Sequence, residues 1–70
     1  MFSNEFLRDA VKAKGYRFKR ETRKTQIYYD GKRYLALSKG LTGRKEAGRI
    51  LRSAGYADSE RDALLGDNAQ

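Results

Sequence analysis

Seventy residues with sixteen Lys or Arg against nine Asp or Glu, a net charge of +7, make one small basic domain. Neither Cys nor His occurs, which excludes disulfides, zinc sites of the usual kinds, thiol nucleophiles and the commonest acid/base side chain. No apolar run approaches the roughly 20 residues of a membrane span and no secretory apolar region opens the chain, so the expectation is a cytoplasmic protein with no membrane partner and no cofactor.

Charge is unevenly spread. Residues 1–57 hold fifteen Lys or Arg against five acids, and residues 58–70 hold Arg61 against Asp58, Glu60, Asp62 and Asp67. This predicts a basic domain over 1–57 and an acidic tail over 58–70, with a short helix and then a disordered end at Asp67 to Gln70. A surplus of positive charge in so small a body favours polyanions, nucleic acid first.

The first element is a helix. Ser3 or Asn4 caps it, Glu5 lies in its first turn, and Phe6, Leu7, Ala10 and Val11 form an apolar stripe at helical spacing. Gly15 ends it as a left-handed residue, and Tyr16 supplies the apolar contact that follows such an end. Phe2 packs at its N-terminal end.

Three antiparallel strands come next. Strand one, Tyr16 to Arg20, alternates Tyr16 and Phe18 with Arg17 and Lys19, and the loop Arg20-Glu21-Thr22-Arg23-Lys24 projects charge beyond the sheet. Asp30-Gly31 between Gln26-Ile27-Tyr28-Tyr29 and Arg33-Tyr34-Leu35-Ala36-Leu37 is a hairpin signal. A two-residue loop would leave each face half polar. A bulged Gly31 instead sets Ile27 opposite Leu35 and Thr25 opposite Leu37 on the core face, with Tyr28 opposite Tyr34 and Gln26 opposite Ala36 looking outward.

Thr42 is the expected cap of a second helix, Gly43 to Ala54, whose stripe is Ala47, Ile50, Leu51 and Ala54. Gly55-Tyr56 repeats the Gly15-Tyr16 ending. Asp58-Ser59-Glu60 then caps a short helix through Leu65 that ends at Gly66. The fold expected is α+β, in the order helix, three-stranded antiparallel sheet, helix. Both helices lie on one sheet face, with Phe6, Val11, Phe18, Ile27, Leu35, Leu37, Ile50 and Leu51 buried.

Two dense basic clusters are the expected phosphate contacts: Arg20, Arg23 and Lys24 in the first sheet loop, and Arg44, Lys45 and Arg49 at the start of the second helix. There, free backbone N–H groups add to the attraction for an anion. Arg17, Lys19, Tyr28 and Tyr34 are the candidates on the outer sheet face, where tyrosines stack on bases or simply pair across the strands. Tyr16 and Tyr29 are expected in the core and Tyr56 at a helix end. No phosphate-binding glycine loop, metal-ligand spacing or paired carboxylates suggest catalysis.

The element order, with Ala13-Lys14-Gly15-Tyr16, Asp30-Gly31-Lys32-Arg33 and Ile50-Leu51-Arg52-Ser53-Ala54-Gly55-Tyr56, resembles HicA-type toxins over roughly Phe6 to Tyr56. These are small ribonucleases of toxin–antitoxin modules with a double-stranded-RNA-binding-like fold. Their catalytic His lies in the second strand, where this chain reads Arg23-Lys24-Thr25-Gln26, so the resemblance implies the fold and a nucleic-acid partner without the nuclease. Tyr28 to Leu51 also resembles the arm-binding domains of phage tyrosine integrases, which lay a three-stranded sheet in the DNA major groove; the extra N-terminal helix departs from that pattern. The function expected is that of a small non-catalytic nucleic-acid-binding regulator from a phage or mobile element. The alternatives are an integrase-like sheet DNA binder and a phage-type protein that binds and inhibits a host or cognate protein through its tyrosine-rich face.

Overall fold

The structure, a computed structural model, describes residues 1–66; the chain end expected to fray lies outside them. Its elements are α1 (Asn4–Lys12), β1 (Arg17–Glu21), β2 (Thr25–Tyr29), β3 (Tyr34–Ser38), α2 (Arg44–Ala54) and α3 (Asp58–Gly66). The strands form one antiparallel sheet in the order β1-β2-β3, and the fold is α+β as expected.

The helix ends follow their local chemistry. Ser3 caps α1, its hydroxyl accepting from the Phe6 N–H at 3.1 Å. Gly15 and Gly55 both take left-handed backbone, φ 96° and 108°, which L side chains resist. The Tyr16 N–H then folds back to the Val11 carbonyl, and the Tyr56 N–H to that of Leu51. Thr42 does not cap α2. It forms an isolated antiparallel bridge with Phe2 through two 2.8 Å backbone hydrogen bonds, which buries it and leaves its hydroxyl without a partner. Gly43 takes the cap position, with no side chain bonded to the first turn.

The hairpin register corrects the sequence expectation by one residue. The Asp30 carboxylate accepts from the N–H groups of Lys32 at 2.8 Å and Arg33 at 2.7 Å. Capturing Arg33 in this way puts four residues between Tyr29 and Tyr34, which become cross-strand partners. Tyr28 therefore pairs with Leu35 and Ile27 with Ala36, so the two β2 side chains exchange faces. Leu35 and Leu37 stay in the core as predicted, whereas Tyr28 is 1% exposed and Ile27 only half-buried. The exchange suits the core: a tyrosine covers more area than an isoleucine, and the Tyr28 hydroxyl lies 3.5 Å from Gln26 Oε1 on the same strand.

The core joins Leu7, Ala10 and Val11 of α1, Tyr28, Leu35 and Leu37 of the sheet, Ala47, Ile50, Leu51 and Ala54 of α2, and Leu65 of α3. At about 25 cal/mol per Å² of apolar surface removed from water, its leucine, isoleucine and valine side chains stabilise by about 1.5–3 kcal/mol each when fully buried, and its alanines by less. Leu65 carries α3 onto this cluster, with Leu64 half-buried beside it. α3 is held at its start by Glu60, which accepts from the Ala57 N–H at 2.8 Å, and at its end by Arg44, which donates to the Leu65 carbonyl at 3.0 Å. The helices pack on β3 more than on β1. Phe18, expected in the core, is consequently half exposed, its ring set edge-to-face with Tyr28 at 5.9 Å between centroids. Phe6 is half-buried beside Phe2.

Candidate nucleic-acid interface

The sheet face turned away from the core is where the cations and exposed rings gather. β1 pairs with β2 as Arg17 with Tyr29, Phe18 with Tyr28, and Arg20 with Ile27. The register shift between Phe18 and Arg20 makes Lys19 the extra residue of a bulge. Strict alternation would have turned Arg20 toward the core side with Phe18. The bulge instead brings Arg17, Lys19 and Arg20 to one face.

Tyr29 lies between the two neighbouring strands on that face. Lys19 Nζ of β1 sits 5.5 Å from its ring centroid, and Tyr34 of β3 stacks on it with centroids 4.4 Å apart and planes 22° from parallel. The Tyr29 hydroxyl donates to the Gly31 carbonyl at 2.8 Å, which fixes the ring. Below these groups the central pair is Ile27 and Ala36, and the far pair is Thr25 and Ser38. Arg23 and Lys24 stand exposed in the turn beyond Arg20, a turn closed by the Thr22 N–H to the Thr25 carbonyl at 2.8 Å and the Thr25 N–H to the Thr22 hydroxyl at 3.2 Å.

The nearby carboxylates are occupied. Glu21 pairs with Gln26 on the other face and meets Lys39 at 3.2 Å. The backbone N–H groups of Arg33 and Lys32 hold the Asp30 carboxyl below the usual carboxylate range, so it stays ionised and committed to its turn. The outer face therefore presents positive charge with no opposing acid among its paired residues.

The α2 cluster is arranged differently. Arg44 is turned to the Leu65 carbonyl, Arg49 pairs with Glu46 at 3.2 Å, and Lys45 stands exposed. α3 packs against α2, and two of its acids, Asp58 and Glu60, are turned to Arg61 and Lys14. Of the residues singled out from sequence, the structure brings Arg17, Lys19 and Arg20 together on β1, sets Tyr34 on the same face across Tyr29 and Arg23 and Lys24 at one end, and leaves Arg44, Lys45 and Arg49 on the helical layer. Tyr28 is removed from the surface by its burial, and Tyr29, assigned to the core from sequence, takes its place. The signal that identifies Tyr29 is Asp30 at the first turn position, whose carboxylate competes for the Arg33 N–H.

Among the described residues no cluster of His, Cys, Asp or Glu could hold a metal ion, and no helix is long and apolar enough to cross a membrane. A depression lined by Lys12, Gly15, Tyr16, Arg17 and Phe18 opens beside β1. Compared with protein-family models, curated proteins and solved structures, the chain matches none.

Proposed function

We propose that this chain is a small non-catalytic nucleic-acid-binding protein that works through the outer face of its sheet. The observation that carries the reading is the grouping of Arg17, Lys19 and Arg20 beside the stacked Tyr29 and Tyr34 on a face that, among the described residues, no helix covers and no paired acid neutralises. Cations so placed bind phosphates and release counterions, and exposed rings add contacts that charge alone does not supply. The non-catalytic part rests on composition, since a chain without His or Cys lacks the usual groups that shuttle protons near neutral pH. The likenesses to HicA-type toxins and to integrase arm-binding domains both support nucleic acid as the partner class.

The test is a salt titration of binding to duplex DNA, duplex RNA and single strands. Replacing Arg17, Lys19 and Arg20 together by Ala is expected to weaken binding and to lower the salt slope by about two to three counterions. Arg44→Ala with Lys45→Ala is expected to change it by less than about one, because Arg44 already serves the Leu65 carbonyl. Absence of binding to every nucleic acid at low salt, together with Tyr34-dependent capture of a protein from lysate, would overturn the reading in favour of a protein inhibitor.

A further inference from the structure

We propose that the nucleic acid this face takes is single-stranded, with one unpaired base stacked on the open side of Tyr34 and the strand crossing the sheet toward the cations of β1. This rests on the nucleic-acid reading above and narrows it to one substrate class.

The first support is the state of the Tyr34 ring. One of its sides lies against Tyr29, yet the residue remains 59% exposed, so its other side is open to solvent at the β3 edge of the sheet. The platform is also preorganised. Tyr29 is fixed by its bond to the Gly31 carbonyl and flanked by Lys19, so a base that settles on Tyr34 extends an existing stack and immobilises little that was free.

The second support is the relief of the face. Its centre, Ile27 beside Ala36, offers no hydrogen-bonding side chain. A duplex pressed there would turn the donors and acceptors of its groove edges toward apolar groups, leaving them unpaired. The flat sides of unpaired bases have no such demand.

The third support is the placement of charge. Arg17, Lys19 and Arg20 all belong to β1, on one flank of the sheet, whereas the residues of β3 on the same face are Tyr34, Ala36 and Ser38. Two strand spacings, about 10 Å, separate the cation row from the β3 flank. A duplex brings phosphate rows along both sides of a groove and would meet cations of the strands on only one. A single backbone that starts at Tyr34 and crosses β2 needs cations only at the β1 side.

Fluorescence anisotropy on the full chain tests this, with a labelled single-stranded oligodeoxythymidylate, an oligouridylate and a blunt duplex of matched length as probes. Circular dichroism confirms that each variant is folded. Single strands are expected to bind more tightly than the duplex. Tyr34→Phe is expected to keep that affinity, and Tyr34→Ala to lose about 5- to 150-fold of it, the range for one base–aromatic stack. The salt slope of Tyr34→Ala is expected to match wild type, since no phosphate contact is removed. If the duplex binds as well as the single strands, or if Tyr34→Ala stays within about twofold of wild type, the single-strand assignment falls while the nucleic-acid reading stands. If no probe binds at low salt, both fall.

Discussion

Tyr16 and Tyr56 close the ends of α1 and α2, and each sends its hydroxyl to the other's helix: Tyr56 to the Ala10 carbonyl at 2.6 Å, Tyr16 to the Ser53 carbonyl at 3.4 Å. Both acceptors are carbonyls that their own helix ends leave over. The Ala13 and Lys14 N–H groups go to Asp9 and Val11, and the Ala57 N–H goes to Glu60. The glycine turns that end the two helices thus also place the hydroxyls that complete them.

Removing one hydroxyl should expose the asymmetry of this arrangement. Tyr56→Phe leaves the Ala10 carbonyl unpaired and is expected to cost about 1–2 kcal/mol, whereas Tyr16→Phe, whose bond is long, is expected to cost about 0.5 kcal/mol or less. Urea unfolding with an unchanged slope is the measurement. Equal costs would place the Tyr16 hydroxyl closer to Ser53 than its 3.4 Å.

Two glycines should respond in opposite directions to the same substitution. Gly55→Ala forces a side chain into φ 108° and is expected to destabilise by about 1 kcal/mol or more. Gly48 lies inside α2, and a methyl group there would meet Leu65 Cδ1 at 3.6 Å, an ordinary contact. Gly48→Ala is expected to stabilise by up to about 1 kcal/mol through helix propensity, a rise in melting temperature of about 4–8 °C. Paired thermal melts decide it.

Alkali should unfold this protein through its buried phenols. Burial pushes the hydroxyls of Tyr16, Tyr28 and Tyr56 above their ordinary value of 10.0, with Asp30 adding to the rise at Tyr16 and Glu60 at Tyr56. The unfolded chain binds these protons less tightly than the folded one, so their contribution to stability is complete below pH 10 and is lost as pH climbs through the raised folded values. A pH series of urea melts is expected to show a flat region up to about pH 10 and a steep fall beyond it. Tyr28→Phe should reduce that fall.

The helices were legible because each is marked at both levels. The stripe of Ala47, Ile50, Leu51 and Ala54 matches the buried face of α2, and Gly55-Tyr56 marks where it stops. The strands were legible in existence and order, and β3 also in its inward face. The face of β2 was not, because Ile27 and Tyr28 are both β-prone and apolar enough for a core, and the choice between them lay in one carboxylate bonding the Arg33 N–H. One residue of register moved Tyr28 inward and Tyr29 outward. The β1 bulge was equally hidden, since it places Arg20 on the outer face by backbone geometry that no side-chain pattern announces. The α2 cluster looked dense in sequence because the partner of Arg44, the Leu65 carbonyl, lies twenty-one residues away.

β1 has a further consequence for the order in which the molecule opens. None of its five residues is buried, and its neighbour in the sheet is β2 alone. Such a strand separates by local opening well below the free energy of global unfolding, so its amides should exchange with solvent sooner than those of β2 and β3. Arg17, Lys19 and Arg20 all ride on it. A polyanion that joins these cations to Tyr34 would span the sheet and hold the strand closed, so that ligand binding slows exchange at β1 while the helices keep their free-state protection.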